Sequence, residues 1–132
     1  MDCVKIDRKS YEVLVTDIIE NFNILYSQNT GRTMAAGARM TLDPLGTFIG
    51  HKITFRRKEG WEQEYDDLFE YLSRPRYDGM YVEVVHNQTT LSYSAYVSKG
   101  ERRLKRIDPK TGKIYWGEFT VNVIPMEATV VP

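Results

Sequence analysis

Two histidines, one cysteine and a run of acids are the residues of this 132-residue chain whose types could support chemistry. His51 and His86 are isolated, and neither has a second His or Cys at the spacing of a metal site. We therefore predict that both are surface or turn histidines. Cys3 would need a distant His to activate it as a nucleophile, so the favoured interpretation is a small residue packed as a hydrophobe.

The acids lie between residues 61 and 70, with no base among them: Glu62, Glu64, Asp66, Asp67 and Glu70. Acid–base hydrolysis of a glycoside needs two carboxylates in unlike environments, which separate their pKa values. Carboxylates crowded on one exposed helix share a similar environment. The sequence also lacks the phosphate-loop, dinucleotide, zinc-protease and hydrolase motifs. It therefore predicts neither an enzyme nor a bound cofactor or metal.

Composition predicts one ordered domain spanning residues 1–132. Hydrophobic residues make up 42% and aromatic residues 12%, which argues against disorder. A single cysteine cannot form an internal disulfide, which fits a reducing compartment. No apolar run approaches the roughly 20 residues of a membrane span, so no membrane contact is predicted.

The formal net charge of zero hides two charged segments of opposite sign. The acids of residues 61–70 sum to −5. Residues 99–113 sum to +5, with bases Lys99, Arg102, Arg103, Lys105, Arg106, Lys110 and Lys113 against Glu101 and Asp108. Such segments are either solvated faces or surfaces that steer two proteins together, including two copies of one chain.

Hydrophobic periodicity predicts one amphipathic helix over residues 61–73. Its apolar stripe has the spacing i, i+4, i+7, i+8 and i+11 and consists of Trp61, Tyr65, Leu68, Phe69 and Leu72. Gly60 precedes this stripe, and Pro75 disfavours helix at the residue before it.

Strand patterns dominate elsewhere, so the predicted fold is mainly β (α+β). Residues 81–85 and 90–97 alternate around a polar break and predict a hairpin. Residues 114–125 form a long final strand after the turn at 108–112. Residues 48–55 and 11–15 are further strand candidates.

Residues 16–26 fit two structures. Ile18, Ile19, Phe22, Leu25 and Tyr26 have helical spacing, and Asp17 to Glu20 resembles a capping box. Alternate residues of the same segment also fit one face of a strand, with Glu20 as the exception. The local pattern by itself slightly favours a helix.

Several motifs occur in the order found in small tail proteins of phages and prophages of gut Firmicutes. The chain resembles them at Gly31-Arg32, at Met40, and at Asp43-Pro44-Leu45-Gly46-Thr47-Phe48. The resemblance continues at Glu64-Tyr65-Asp66-Asp67-Leu68, at Leu72-Ser73-Arg74-Pro75, and at Gln88-Thr89-Thr90-Leu91-Ser92-Tyr93-Ser94-Ala95-Tyr96-Val97-Ser98. It covers roughly residues 12–98 and does not extend to the basic segment.

The resemblance implies a non-enzymatic structural protein of a bacteriophage virion, of the tail-tube or distal-tail type. It implies a β-sandwich or rolled, barrel-like sheet with one helix, assembled in rings that are commonly hexameric. Assembly would occur in the bacterial host cytoplasm beside other tail proteins. Phage DNA would pass through the ring without sequence-specific recognition. The resemblance also implies that residues 16–26 are a strand, and we adopt that assignment.

Two regions are expected to form the oligomer interface. The loop at residues 29–47 would add a strand or hairpin to a neighbouring subunit. The +5 segment would meet the −5 helix of a neighbour, so charge neutralisation should weaken association more than folding. The candidate interface residues are Gly31, Arg32, Met34, Met40, Glu62, Asp66, Asp67, Glu70, Arg102, Arg103, Lys105 and Arg106.

The alternative function is that of a small β-barrel that binds single-stranded nucleic acid through residues 99–113. The bases of this segment would contact phosphates, and nearby rings would stack on bases: Tyr93, Tyr96, Tyr115 and Trp116. The competing interpretation is that these rings are packed cross-strand partners.

Overall fold

The computed structural model describes residues 3–28, 31–32 and 40–132. Its elements are β1 (Val4–Ile6), β2 (Val13–Tyr26), β3 (Gly31–Arg32), β4 (Met40–Thr41), β5 (Pro44–Arg57), α1 (Glu62–Ser73), β6 (Met80–His86), β7 (Thr89–Ile107) and β8 (Ile114–Pro125). Six strands form one antiparallel sheet in the order β1-β6-β7-β8-β5-β2, while β3 pairs with β4. The predicted mainly β fold is confirmed, with one short helix among the residues that the structure describes.

One face of the sheet forms the core because its central strands alternate apolar and polar residues. On β5 and β8 the buried rows are in register, with Ile53 opposite Val121 and Phe55 opposite Phe119. The core continues across β6 and β7 through Met80, Val82, Val84, Tyr93 and Ala95.

Helix α1 covers this core as the sequence predicts. Its buried residues are Tyr65, Leu68 and Leu72. The ring of Phe69 packs edge-on against Phe119, with centroids 5.0 Å apart. The hydroxyl of Tyr65 donates a hydrogen bond to the carbonyl of Gly117 at 2.7 Å, which attaches the helix to β8.

Residues 16–26 are part of β2, so the strand assignment is confirmed and the local helical pattern was misleading. Strand β2 pairs with β5 from Val13 opposite Arg57 to Tyr26 opposite Pro44, with an irregularity between Val15 and Asp17. From residue 19 onward every residue of β2 is exposed, on both faces. Because neither face of this part of β2 is buried, the spacing of its apolar residues cannot distinguish a helix from a strand.

Two other predicted strand boundaries differ from those in the structure. Strand β7 continues to Ile107, so the first half of the basic segment lies in a strand. The predicted loop at 29–47 includes β3, β4 and the start of β5. Met34 lies outside the described residues.

Two ribbons, each made of two paired strands, extend from opposite ends of the sheet. Pairing between β5 and β8 runs only from His51 opposite Val123 to Phe55 opposite Phe119. Strand β5 extends past His51 toward Pro44 and is paired there with β2. Strand β8 extends past Phe119 toward Ile114 and is paired there with β7. The seven residues 44–50 of β5 give the first extension a length of roughly 20 Å.

Candidate functional site

The extension of β2 and β5 carries a large exposed apolar surface. We define the apolar ribbon as residues 19–26 and 40–45. Its large exposed apolar side chains are Ile19, Phe22, Ile24, Leu25, Tyr26, Met40, Leu42 and Leu45. Phe22 is 71% exposed and Leu45 is 56% exposed. Exposed apolar side chains grouped in this way are typical of interaction sites in soluble proteins.

Strand β2 also ends the sheet within the described ranges, so its outer edge faces no strand there. Edge strands offer unpaired N–H and C=O groups that template pairing with another chain. Natural proteins usually shorten such edges or place charges on them. Here the edge strand has 14 residues, and its last eight include a single charged residue, Glu20.

Contacts on both sides of β5 hold the ribbon in place. Strand β2 pairs along one side. On the other side, the N–H of Thr47 donates to the carbonyl of Val130 at 2.8 Å, and the N–H of Thr129 donates to the carbonyl of Thr47 at 2.7 Å. The ribbon therefore has its conformation before any partner binds, which lowers the entropic cost of association.

Four polar side chains meet where the ribbon leaves the body of the protein. Glu20 of β2 lies between two histidines, with Oε1 2.7 Å from His86 Nδ1 and Oε2 3.4 Å from His51 Nε2. The other ring nitrogen of His51 is hydrogen-bonded to the hydroxyl of Tyr93 at 2.6 Å. We call these residues the histidine cluster.

The histidine cluster lies partly in the core. His51 is 1% exposed, so its prediction as a surface histidine was wrong, whereas His86 borders a turn as expected. Burial lowers the pKa of His51, and the nearby Glu20 carboxylate partly opposes this shift. Burial also raises the pKa of Tyr93. The cluster therefore keeps a neutral imidazole in the core at neutral pH.

The two charged segments meet within one chain. The guanidinium of Arg102 lies 3.8 Å from the ring centroid of Phe69 and 4.1 Å from that of Trp116. It also pairs with Asp66 of α1 at 3.4 Å. Only 17% of the Arg102 side chain is exposed. This base of the +5 segment therefore contributes to packing between α1 and the sheet.

The other candidate interface residues are divided among several places. Glu62 lies 3.4 Å from Lys113 and 3.9 Å from Arg57. Asp67 accepts a hydrogen bond from Gln63 at 2.9 Å. Gly31 and Met40 belong to the short β3–β4 ladder. We define the basic ribbon as residues 102–118, where β7 and β8 extend beyond the body of the sheet. Four more candidates lie in the β3–β4 ladder, in α1 or in the basic ribbon, namely Arg32, Glu70, Arg103 and Lys105.

The rings proposed for base stacking have other neighbours. Tyr93 is buried in the core. Arg102 lies over Trp116, and Arg106 lies over Tyr115 at 4.2 Å from its centroid. Tyr96 is 45% exposed. Residues 99–113 therefore carry bases suited to contact with phosphates, but few of the nearby aromatic rings are free to stack on nucleic-acid bases.

Several features of the apolar ribbon and of the histidine cluster were not predicted from the sequence. The exposed Phe22 had a detectable signal, because apolar residues occur at both odd and even positions of residues 18–26. The histidine cluster had none, because its members are far apart along the chain. Cys3 is exposed, so the prediction that it packs as a hydrophobe was wrong.

Across the described residues, no three or more His, Cys, Asp or Glu side chains are grouped as a metal site would require. No helix in the same ranges is long and apolar enough to cross a membrane. Comparison with protein-family models and with curated protein sequences returns no match to this chain.

Proposed function

We propose that this chain is a structural subunit of a bacteriophage tail that assembles into a homo-oligomeric ring of the tail tube or tail tip. The observation that carries the proposal is the apolar ribbon, a pre-formed extension with eight large exposed apolar side chains. The ordered tail-protein motifs support the same assignment, and Met40 and Asp43 to Leu45 of those motifs lie in the apolar ribbon.

The energetics favour a partner for the ribbon. Fully burying one Leu or Phe side chain contributes about 2 kcal/mol. Burial of several members of the ribbon therefore offsets much of the cost of association. A β2 edge that pairs with a different edge of the next subunit makes a heterologous contact, and such contacts close into rings when the rotation permits.

We further propose that the sheet rolls toward a closed, barrel-like shape. Strands β2 and β6 are separated by three strands in the sheet order, yet Glu20 of β2 reaches His86 of β6. The Tyr93 ring of β7 also stacks on the His51 ring of β5, with centroids 5.7 Å apart and β8 between their strands. Contact across intervening strands is the consequence of strong curvature.

The proposed role is mechanical and assigns no catalytic residue. Rings would form in the bacterial host cytoplasm and remain in the virion tail. The charged segments would contribute to contacts with adjacent tail proteins through those members that point away from α1.

Native mass spectrometry and negative-stain electron microscopy of the purified chain test this proposal. We expect ring-shaped particles of a single stoichiometry, either alone or with the neighbouring tail proteins. A monomer at all accessible concentrations, both alone and beside its tail partners, would refute it.

A further inference from the structure

A cationic cleft lies where the start of α1, the end of β5 and the basic ribbon meet. Its volume is about 690 Å³. Four bases and two acids line it, which leaves a formal charge of +2: Arg56, Arg57, Arg106, Lys113, Glu59 and Glu62. The cleft is separate from the apolar ribbon, at the opposite end of the sheet.

Three of these cations crowd around one aromatic ring. The guanidinium carbons of Arg57 and Arg106 lie 4.5 Å and 4.2 Å from the ring centroid of Tyr115. The Lys113 ammonium lies 5.3 Å from the same centroid. Three cations beside one ring concentrate positive charge in the cleft, which favours an anion there.

Glu62 indicates how the cleft holds an anion. Its carboxylate contacts Lys113 and Arg57. Its pKa is lowered mainly by the backbone N–H of Glu62 at the start of α1, and further by Lys113. The N-cap residue Trp61 supplies no side-chain hydrogen bond to this helix start. Helix N-termini favour negative charge, and here bases reinforce that preference.

We propose that this cleft binds the phosphate groups of a polyanion, either a nucleic-acid backbone or a free polyphosphate chain. Arg56 and Arg106 are exposed and add to the two bases that hold Glu62. Arginine forks bind phosphate oxygens in pairs, and a phosphate chain concentrates negative charge in a small volume. Because cations occupy Tyr115, binding uses charge and does not depend on base identity.

Fluorescence anisotropy with a labelled single strand of about twenty thymidines tests this proposal, with tripolyphosphate and polyglutamate as competitors. The variants are Arg106→Gln with Lys113→Gln, and Glu62→Gln alone. Lys52→Gln is the matched control because Lys52 is exposed on β5 and lies outside the cleft. Thermal melts verify that each variant folds.

We expect saturable binding that weakens with salt and is unchanged with an adenine strand. The double variant should lower the slope of log affinity against log salt by about 0.7 for each lost phosphate contact. Glu62→Gln should tighten binding by removing a competing carboxylate, and Lys52→Gln should leave it unchanged. Tight binding of the strand with weak tripolyphosphate competition identifies a nucleic-acid backbone, and the reverse identifies free polyphosphate.

Three results would overturn the proposal. They are the absence of saturable binding of either phosphate ligand at low salt, competition by polyglutamate as strong as that by tripolyphosphate, and equal losses in the double variant and the control.

Discussion

The two ribbons of this protein are both built from two paired strands, but the exposed side chains of one are mainly apolar and those of the other are largely basic. The apolar ribbon extends from one end of the sheet with large apolar side chains exposed on both of its faces. The basic ribbon, formed by β7 and β8 at the other end, places Arg102 against Phe69, Trp116 and Asp66 of the same chain. Arg106 lies over Tyr115, and Lys113 pairs with Glu62 of α1.

The difference indicates which surface would gain more free energy from a partner. A charge can be satisfied by water, by an aromatic face or by an acid of its own chain, so an exposed base implies little about assembly. Exposed Leu and Phe side chains gain free energy only when another apolar surface covers them. Association should therefore depend on the apolar ribbon more than on the segregated charges that the sequence emphasises.

The largest expected effect follows from placing charge on the apolar ribbon. Phe22→Lys combined with Leu45→Lys should weaken association by on the order of 10³-fold, because two buried apolar side chains contribute about 4 kcal/mol. Both residues are exposed in the single chain, so the melting temperature should change little. Light scattering coupled to size-exclusion chromatography measures the oligomeric mass.

Leu104→Lys is the matched control for that experiment because Leu104 is 45% exposed on the basic ribbon. If it dissociates the oligomer while the double variant does not, the roles of the two ribbons are reversed.

A smaller effect distinguishes a packed base from a solvated one. Arg102→Ala should lower the free energy of unfolding by about 1–2 kcal/mol, because it removes stacking on two rings. Arg103→Ala is the control, since Arg103 is exposed, and should cost about 0.5 kcal/mol or less. Urea denaturation followed by circular dichroism measures both. Equal losses would contradict the packing role of Arg102.

Acid should destabilise the protein at the root of the apolar ribbon. Burial lowers the pKa of His51 in the folded chain, so the unfolded chain binds more protons just below its ordinary pKa of about 6.5. Stability should therefore be full above that pH and fall as the pH decreases toward the folded pKa. Urea denaturation between neutral and mildly acidic pH measures this slope.

Two variants assign that slope to the histidine cluster. His51→Gln should reduce it, because the titrating group is absent. Glu20→Gln should extend the loss over a wider pH range, because the carboxylate opposes the lowered pKa of His51. An unchanged slope in His51→Gln would place the responsible group elsewhere.

The smallest expected effect is that of salt on self-association. Contacts between apolar surfaces are little affected by moderate salt, whereas contacts between exposed charges are screened. An oligomer assembled through the apolar ribbon, as proposed, should therefore persist when sodium chloride rises from about 0.05 M to 0.5 M. Analytical ultracentrifugation measures its mass. Dissociation at the higher concentration would restore the charged segments as the main interface.

Much of the architecture was predictable because the spacing of apolar residues along a helix or strand reflects which of its faces is buried. The stripe from Trp61 to Leu72 predicted α1 within one residue at its start, because its later members face the core, whereas Trp61 itself is exposed at the N-cap. Alternation predicted the hairpin around residues 86–89 for the same reason. The pattern failed at residues 19–26, where neither face of the strand is buried and no period is imposed.

The mainly β fold, the position of α1 and the separation of the charges were predictable from local patterns, because each depends on neighbours a few residues apart. The packing of Arg102 against α1, the burial of His51 beside Glu20 and the exposure of the apolar ribbon were not predictable in this way. They depend on strand pairing and register, which join residues 31 to 66 positions apart along the chain. A residue's type limits its possible partners, and the fold selects among them.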